Sequence, residues 1–255
     1  MHLYRPPVRL LLGHLGPAED QALEMAVAHA LVRRASGGRS AAVLRIYRPS
    51  APTVAFGRRD TLAPGFGAAV RATRAAGFVP VVRAPGGRAV AYTVDSLVAD
   101  HVSPTTAFPA GMDQRFTSYG QLWAGLLREH GVDARLGAVP GEYCPGAASV
   151  NARGRVKLVG TAQRVLRRAW LFSAVAIVDG ATVLRPLLDE IYRHLGQPFD
   201  PASVGSISLE APRLSIGTLE AAVVAAYEQR FDLQPANIDP EVMAGAHDLS
   251  PDHRL

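Results

Sequence analysis

Apolar positions recur every three or four residues across "GPAEDQALEMAVAHALVRRASGG" (16–38), which predicts a helix. Pro17 suits its first turn, Glu19 and Asp20 suit its positive end, and Gly37 and Gly38 stop it. Leu23, Val27, Ala30 and Leu31 make its apolar face. Apolar runs bounded by Pro and Gly predict strands in "AAVLRIYRPS" (41–50) and "PTVAFGRRD" (52–60). "PGFGAAVRATRAAGF" (64–78) reads as a short helix, "VPVVRAPGGRAVAYT" (79–93) as two strands about a Pro-Gly-Gly turn, and "DSLVADHVS" (95–103) as a further strand. An amphipathic helix follows over 111–132, with Phe116, Tyr119, Leu122, Trp123 and Leu126 on one side. "ARLGAV", the segment 141–164, "RVKLVGTAQRVLRR" and "AWLFSAVAIV" are strand-like, and "TVLRPLLDEIYRHLG" and "TLEAAVVAAYEQRF" are late helices. Residues 236–255 are rich in Pro and Asp and are expected to form a loosely packed tail behind a domain spanning 1–235. Strands outnumber helices and several follow one another directly. That predicts an α+β domain with mixed or antiparallel sheets, not a regular βαβ winding.

Composition adds boundaries to this picture. In 255 residues, 48% are hydrophobic and 19% charged, enough to build a substantial core. No apolar run spans a bilayer; "AWLFSAVAIV" is too short and reads as a buried strand. The N-terminus lacks the apolar region and cleavage site of a signal peptide, so a cytoplasmic protein is expected. A single Cys forms no internal disulfide, which suits a reducing compartment. With no Cys pair at ligand spacing and no H-E-x-x-H, no metal site is expected. The net charge is +5, but the arginines spread along the chain and no nucleic-acid-binding motif is present. Neither nucleic acid nor membrane is expected as a partner.

Two segments carry candidate chemistry. In "RAPGGRAV", Gly86 and Gly87 suit either a plain hairpin turn or a backbone that lets a ligand approach closely. Arg83 and Arg88 would add charged donors in the second case. No P-loop and no dinucleotide fingerprint is present. The second segment, "GEYCPGAASVNARGRVKLVGTAQR" (141–164), holds the chain's only cysteine, Cys144, and its only lysine, Lys157. Pro and Gly place Cys144 in a loop, where a thiolate can act as an acyl nucleophile. Lys157 lies in a strand between Val156 and Leu158 and faces opposite to both. Every other basic side chain apart from histidine is arginine, so a lysine here suits a narrow site that needs a compact ammonium.

These segments resemble the lipoate/biotin protein ligase superfamily. "VLRIYRPSAPTVAFGRRD", "VVRAPGGRAV" and above all "KLVGTAQR" are similar to its ordered motifs, the last to Lys-x-x-Gly-x-Ala-Gln. The resemblance implies the catalytic fold shared with class II aminoacyl-tRNA synthetases. It implies attachment of lipoate, octanoate or biotin to a carrier-domain lysine. It assigns Lys157 to the acyl carbonyl, and Arg83, Gly86, Gly87 and Arg88 to the acyl and nucleotide pocket. "YCPG" ahead of "GRVKLVGTAQR" is similar to the Cys-dependent octanoyltransferase and amidotransferase branch, where the cysteine carries the acyl group as a thioester. Tyr92 stands where relatives often have His. On this reading Cys144 and Lys157 are catalytic, amides near Gly160 and Thr161 steady the oxyanion, and Val82, Val90 and Ala162 line the acyl slot. The partners implied are lipoyl domains (glycine-cleavage H protein, 2-oxoacid dehydrogenase E2) or acyl-carrier protein, with no cofactor. Two alternatives stay open: an ATP- and Mg²⁺-dependent lipoate–protein ligase with Cys144 incidental, and a non-catalytic acyl or carrier-domain binder.

Overall fold

Alternation along the strands builds one large sheet with two different faces. The computed structural model describes residues 4–17, 20–107 and 110–255. In chain order the elements are β1 (Pro7–Leu12), α1 (Gln21–Ser36), β2 (Val43–Tyr47), β3 (Thr53–Phe56), α2 (Phe66–Ala75), β4 (Val79–Val82), β5 (Val90–Tyr92), β6 (Ser96–Pro104) and α3 (Met112–Glu129). They continue with β7 (Ala134–Leu136), β8 (Val150–Ala152), β9 (Val156–Leu166), β10 (Ala169–Ile177), α4 (Ala181–His194), α5 (Ile207–Glu210), α6 (Ile216–Glu228), β11 (Asp232–Pro235) and α7 (Pro240–Leu249). Short 3₁₀ turns at Asp60–Leu62, Pro201–Ser203 and Ser250–His253 complete them.

The large sheet has eight strands in the order β11-β1-β2-β6-β10-β9-β8-β7. β1 pairs in parallel with β11 and β2, and the remaining neighbours are antiparallel. In β2, Val43 faces α1 and α7, whereas Leu44 and Ile46 face α3 and α6. The period of two thus sorts one strand into two cores. On one face Tyr119, Trp123 and Leu126 of α3 and Leu219, Val223 and Tyr227 of α6 fill the core. On the other lies α1, buried nearly all round. A buried ion pair, Arg45 with Glu24, locks α1 against β2. The expected α+β class with mixed, largely antiparallel sheets is what forms.

A second sheet has the order β4-β3-β5, with β4 parallel and β5 antiparallel to β3. It is covered by α2 and α4 through Val70, Leu184, Leu188 and Ile191. β4 and β5 each pair with β3, not with each other, so the hairpin reading of "RAPGGRAV" is corrected. Residues 83–89 are a connection passing over the end of β3. Gly57 makes that passage possible, because a Cβ there would stand 1.9 Å from the Gly87 carbonyl oxygen.

Two further expectations are corrected. α1 begins at Gln21 rather than at Pro17, because the Asp20 carboxylate caps it by accepting the Leu23 N–H at 3.2 Å. Glu19 lies outside the described residues. Residues 236–255 are not loosely packed: Val242, Ala246 and Leu249 of α7 are buried against α1. His253 is fully buried, and its Nδ1 donates to the Val82 carbonyl at 2.6 Å. β1 was not anticipated among its prolines, although Val8 and Leu10 alternate into the core. Among the described residues, no helix is long and apolar enough to cross a membrane.

Candidate active site

The long loop between β7 and β8 and the 83–89 connection meet beside β9. The loop carries Cys144, half-buried and held at φ +43° in the left-handed region. Its Sγ accepts hydrogen bonds from Arg83 Nη2 at 3.1 Å and from the Arg88 backbone N–H at 3.2 Å. Arg83 Nη2 also donates to the Arg88 carbonyl at 2.8 Å, which ties its guanidinium to the connection it starts. Gly87, at φ +106°, leaves room for both groups: a Cβ there would lie 2.2 Å from Arg83 Nη2 and 2.7 Å from Cys144 Sγ.

Lys157 is 2% exposed, so it is no solvated surface lysine. Its Nζ lies beneath the loop and donates to Cys144 O at 2.8 Å, Tyr143 O at 3.0 Å and Glu142 Oε1 at 3.2 Å. Those three acceptors use all the hydrogens of an ammonium. Burial pushes the Lys157 pKa below its ordinary value, against the pull of Glu142. Burial also pushes the Cys144 thiol up. Arg83, Lys157 and the Arg88 N–H outweigh it, and the thiol ends below the usual cysteine value.

Sγ opens on a cleft of about 530 Å³ lined by Gly86, Phe116, Leu136, Ala148, Thr161 and Ala162, among others. Thr161 Oγ1 donates to the Ala148 carbonyl at 3.0 Å and so joins β9 to the cysteine loop. Gln163 spans to α3, donating from Nε2 to Met112 O at 2.9 Å and accepting from Arg115 Nε at 2.8 Å. A smaller cavity of about 40 Å³ lies behind Arg83, with Tyr47, Val90, Tyr92, Asp100 and Ser173 in its walls. Among the described residues, no group of three or more His, Cys, Asp or Glu side chains is placed to hold a metal ion.

Residues 20–228 match the family described as the lipoyl protein ligase A/B catalytic domain. The chain belongs to that family. Among curated proteins it is 29% identical over 184 residues to the octanoyl-[GcvH]:protein N-octanoyltransferase of Geobacillus kaustophilus (strain HTA426). That alignment covers 72% of this chain and 64% of the relative, less than two thirds of the latter's length. A lipoate-protein ligase A structure bound with ATP superposes at a TM-score of 0.77 with 19% identity, covering 96% of this chain and 94% of the other. A bi-partite archaeal lipoate protein ligase from Thermoplasma acidophilum gives 0.71 with 19% identity, covering 97% and 93%. At such identities these two structures establish the lipoate-ligase fold.

Against this family background, the predicted site residues fall into four groups. Cys144, Lys157, Arg83, Gly87 and Arg88 converge directly. Gly86, Thr161 and Ala162 line the same cleft. Gly160 sits under the Lys157 stem, where a Cβ would be 3.4 Å from Cε. Val82 and Val90 do not line the cleft with Cys144; Val90 and Tyr92 border the small cavity instead. The amide that donates to the sulfur is that of Arg88. Sequence reasoning missed Glu142 and Tyr192. Both are buried polar groups that touch the Cys144 loop, and only Glu142 was within sight, two residues from the cysteine.

Proposed function

We propose that this chain transfers an octanoyl or lipoyl group to a lysine of a lipoyl carrier domain through a thioester on Cys144. The observation that carries this is the thiol itself. It is held by a guanidinium and a backbone N–H, has a buried ammonium beneath its loop, and faces a largely apolar cleft. The similarity to an octanoyl-[GcvH]:protein N-octanoyltransferase supports the same reading and suggests an octanoylated glycine-cleavage H protein as donor.

In the first step the Cys144 thiolate adds to the donor's acyl carbonyl carbon. The bond from that carbon to the donor heteroatom breaks, and the donor leaves after taking up one proton. In the second step the acceptor's neutral ε-amine attacks the thioester, forms the amide, loses one proton and releases the thiolate. The two proton transfers balance over the cycle by exchange with solvent at the cleft, while Lys157 stays beneath the loop as the ammonium that favours the thiolate. Arg83 and the Arg88 N–H hold the sulfur as an anion before attack and after release.

Intact-mass measurement after incubation with octanoylated H protein, octanoyl-acyl-carrier protein, or octanoate with ATP and Mg²⁺ tests this. The expected result is a hydroxylamine-labile octanoyl adduct that is absent from Cys144→Ala. Full lipoyl-domain modification by Cys144→Ala that requires ATP and Mg²⁺ would establish a ligase instead. Carrier binding with neither adduct nor modification would leave a binding protein.

A further inference from the structure

We infer that Glu142 is a positioning residue: it fixes the Lys157 ammonium beneath Cys144 and so sets both the direction of the thiol and its readiness to lose a proton. This deepens the acyl-transfer reading and rests on it for its meaning, though not for its test.

The Glu142 carboxylate is completely enclosed and accepts four hydrogen bonds. Oε2 takes the Val139 N–H at 3.0 Å. Oε1 takes the Gly146 N–H at 3.0 Å, Ser149 Oγ at 2.7 Å and Lys157 Nζ at 3.2 Å. Val139 lies before Cys144, and Gly146 and Ser149 after it. One carboxylate therefore gathers the loop on both sides of the cysteine. Closing a loop this way needs only acceptors. A buried ion pair is an expensive means of providing them, since both charges lose their hydration.

The charge has a second use. Lys157 spends its other two hydrogens on the carbonyls of Tyr143 and Cys144 and also lies 4.7 Å from the Tyr143 ring centroid. Without Glu142 the ammonium would keep only the Cys144 sulfur as an anionic neighbour, with burial and the Arg83 cation opposing its charge. The charged and titratable groups around the sulfur are Arg83 and Arg88 from the 83–89 connection, Lys157 from β9, Tyr143 on the loop and Tyr192 from α4. Asp60 faces Arg88 at 3.5 Å. Glu142 is the carboxylate paired with Lys157. Removing it favours neutral Lys157, and a neutral Lys157 no longer draws the proton off Cys144.

Because the chain has one cysteine, alkylation by iodoacetamide reports on Cys144 alone. The rate against pH gives a midpoint, which reads the thiol's ionisation, and a plateau, which reads its accessibility. Glu142→Gln is expected to move the midpoint upward by about one pH unit, about a tenfold lower rate at neutral pH. Lys157→Met should move it the same way, and the double variant no further than Lys157→Met alone. Glu142→Asp, which keeps the carboxylate, should restore part of the shift. A folded Glu142→Gln with an unmoved midpoint overturns the inference even if its plateau or melting temperature changes, and Lys157→Met serves in its place if Glu142→Gln does not fold. An unmoved midpoint in Lys157→Met overturns it as well. Since no acyl donor enters, this result is independent of whether Cys144 ever carries an acyl group.

Discussion

The backbone N–H of Cys144 donates to the Tyr192 hydroxyl at 2.6 Å, and that hydroxyl donates in turn to the Ala89 carbonyl at 2.9 Å. One phenol from α4 thus ties the cysteine loop to the end of the 83–89 connection. It does so at a residue whose left-handed backbone costs on the order of 1–3 kcal/mol for a side chain other than glycine. Tyr192→Phe leaves the ring in place and strands both backbone groups. Stability is expected to fall by about 1–3 kcal/mol in a thermal melt. Formation of the hydroxylamine-labile adduct should slow more than tenfold, because the sulfur is no longer aimed. An adduct rate equal to that of the parent protein would show that Tyr192 supports only the fold.

Gly86 and Gly87 are adjacent but do different work. A methyl on Gly87 would overlap Arg83 Nη2 and Cys144 Sγ and would force a positive-φ backbone on alanine. Gly87→Ala should lose roughly 1–2 kcal/mol from the backbone alone. It should also displace Arg83, so that Cys144 alkylates with a higher pH midpoint. A Cβ on Gly86 meets nothing within 4 Å. Gly86→Ala should therefore melt within about 0.5 kcal/mol of the parent and keep the parent midpoint. Similar alkylation midpoints in the two variants would contradict the geometry.

The parts of the site that were legible in the sequence are those whose residue type is unusual where it stands. Cys144 and Lys157 are singletons, and Pro145 and Gly146 mark the loop. Gly86 and Gly87 stood out only as a pair, and that Arg83 and the sulfur crowd Gly87 alone is visible only in the fold. Tyr192 was not legible, since 48 residues separate it from Cys144 and nothing local distinguishes it from any tyrosine on an amphipathic helix. Glu142 was passed over because its partner, Lys157, stands on β9 and nothing beside it in the chain shows the pairing. The connectivity of β3, β4 and β5 was also hidden: a Gly-Gly pair between two apolar runs carries no sign that a third strand runs between them. In α7 the signal was present and misread. Val242, Ala246 and Leu249 keep helical spacing, and Pro240 follows the N-cap Asp239 as a first-turn proline, yet prolines and acids suggested a tail.

Deleting residues 236–255 removes Val242, Ala246 and Leu249 from the core they share with α1, together with the His253 bond to Val82, the residue before Arg83. It also removes the Arg254 ion pair with Asp20, the cap of α1. Burial of three such side chains is worth roughly 4–7 kcal/mol, comparable to the whole stability of many domains. The truncated chain is expected in inclusion bodies or without a cooperative melt. A soluble, cooperatively melting 1–235 fragment would show that the C-terminal segment is dispensable.

Acid should weaken the fold through two buried histidines. His29 is pushed down to about 4, first by burial and then by Arg164, His253, Arg33 and Arg58. His101 is pushed down to about 3 by burial alone, boxed by the rings of Tyr119, Trp170, Tyr227 and Phe231. The His253 Nδ1–H is committed to the Val82 carbonyl, so its Nε2 accepts from His29 Nδ1 at 3.1 Å and both rings are neutral. In the unfolded chain a histidine takes its proton near pH 6.5. The unfolded state therefore binds more protons below that point. The contribution of these neutral rings is complete above pH 6.5 and is lost as pH falls through 4 for His29 and toward 3 for His101. For His29 the loss approaches about 3 kcal/mol at the acid end. Melting temperatures at pH 7.5, 6, 5 and 4 are expected to fall steadily in the parent protein. His29→Gln keeps an amide donor for His253 and takes up no proton, so its curve should start lower and be shallower between pH 6.5 and 4. Parallel curves for the two proteins would mean that His29 carries none of the acid sensitivity.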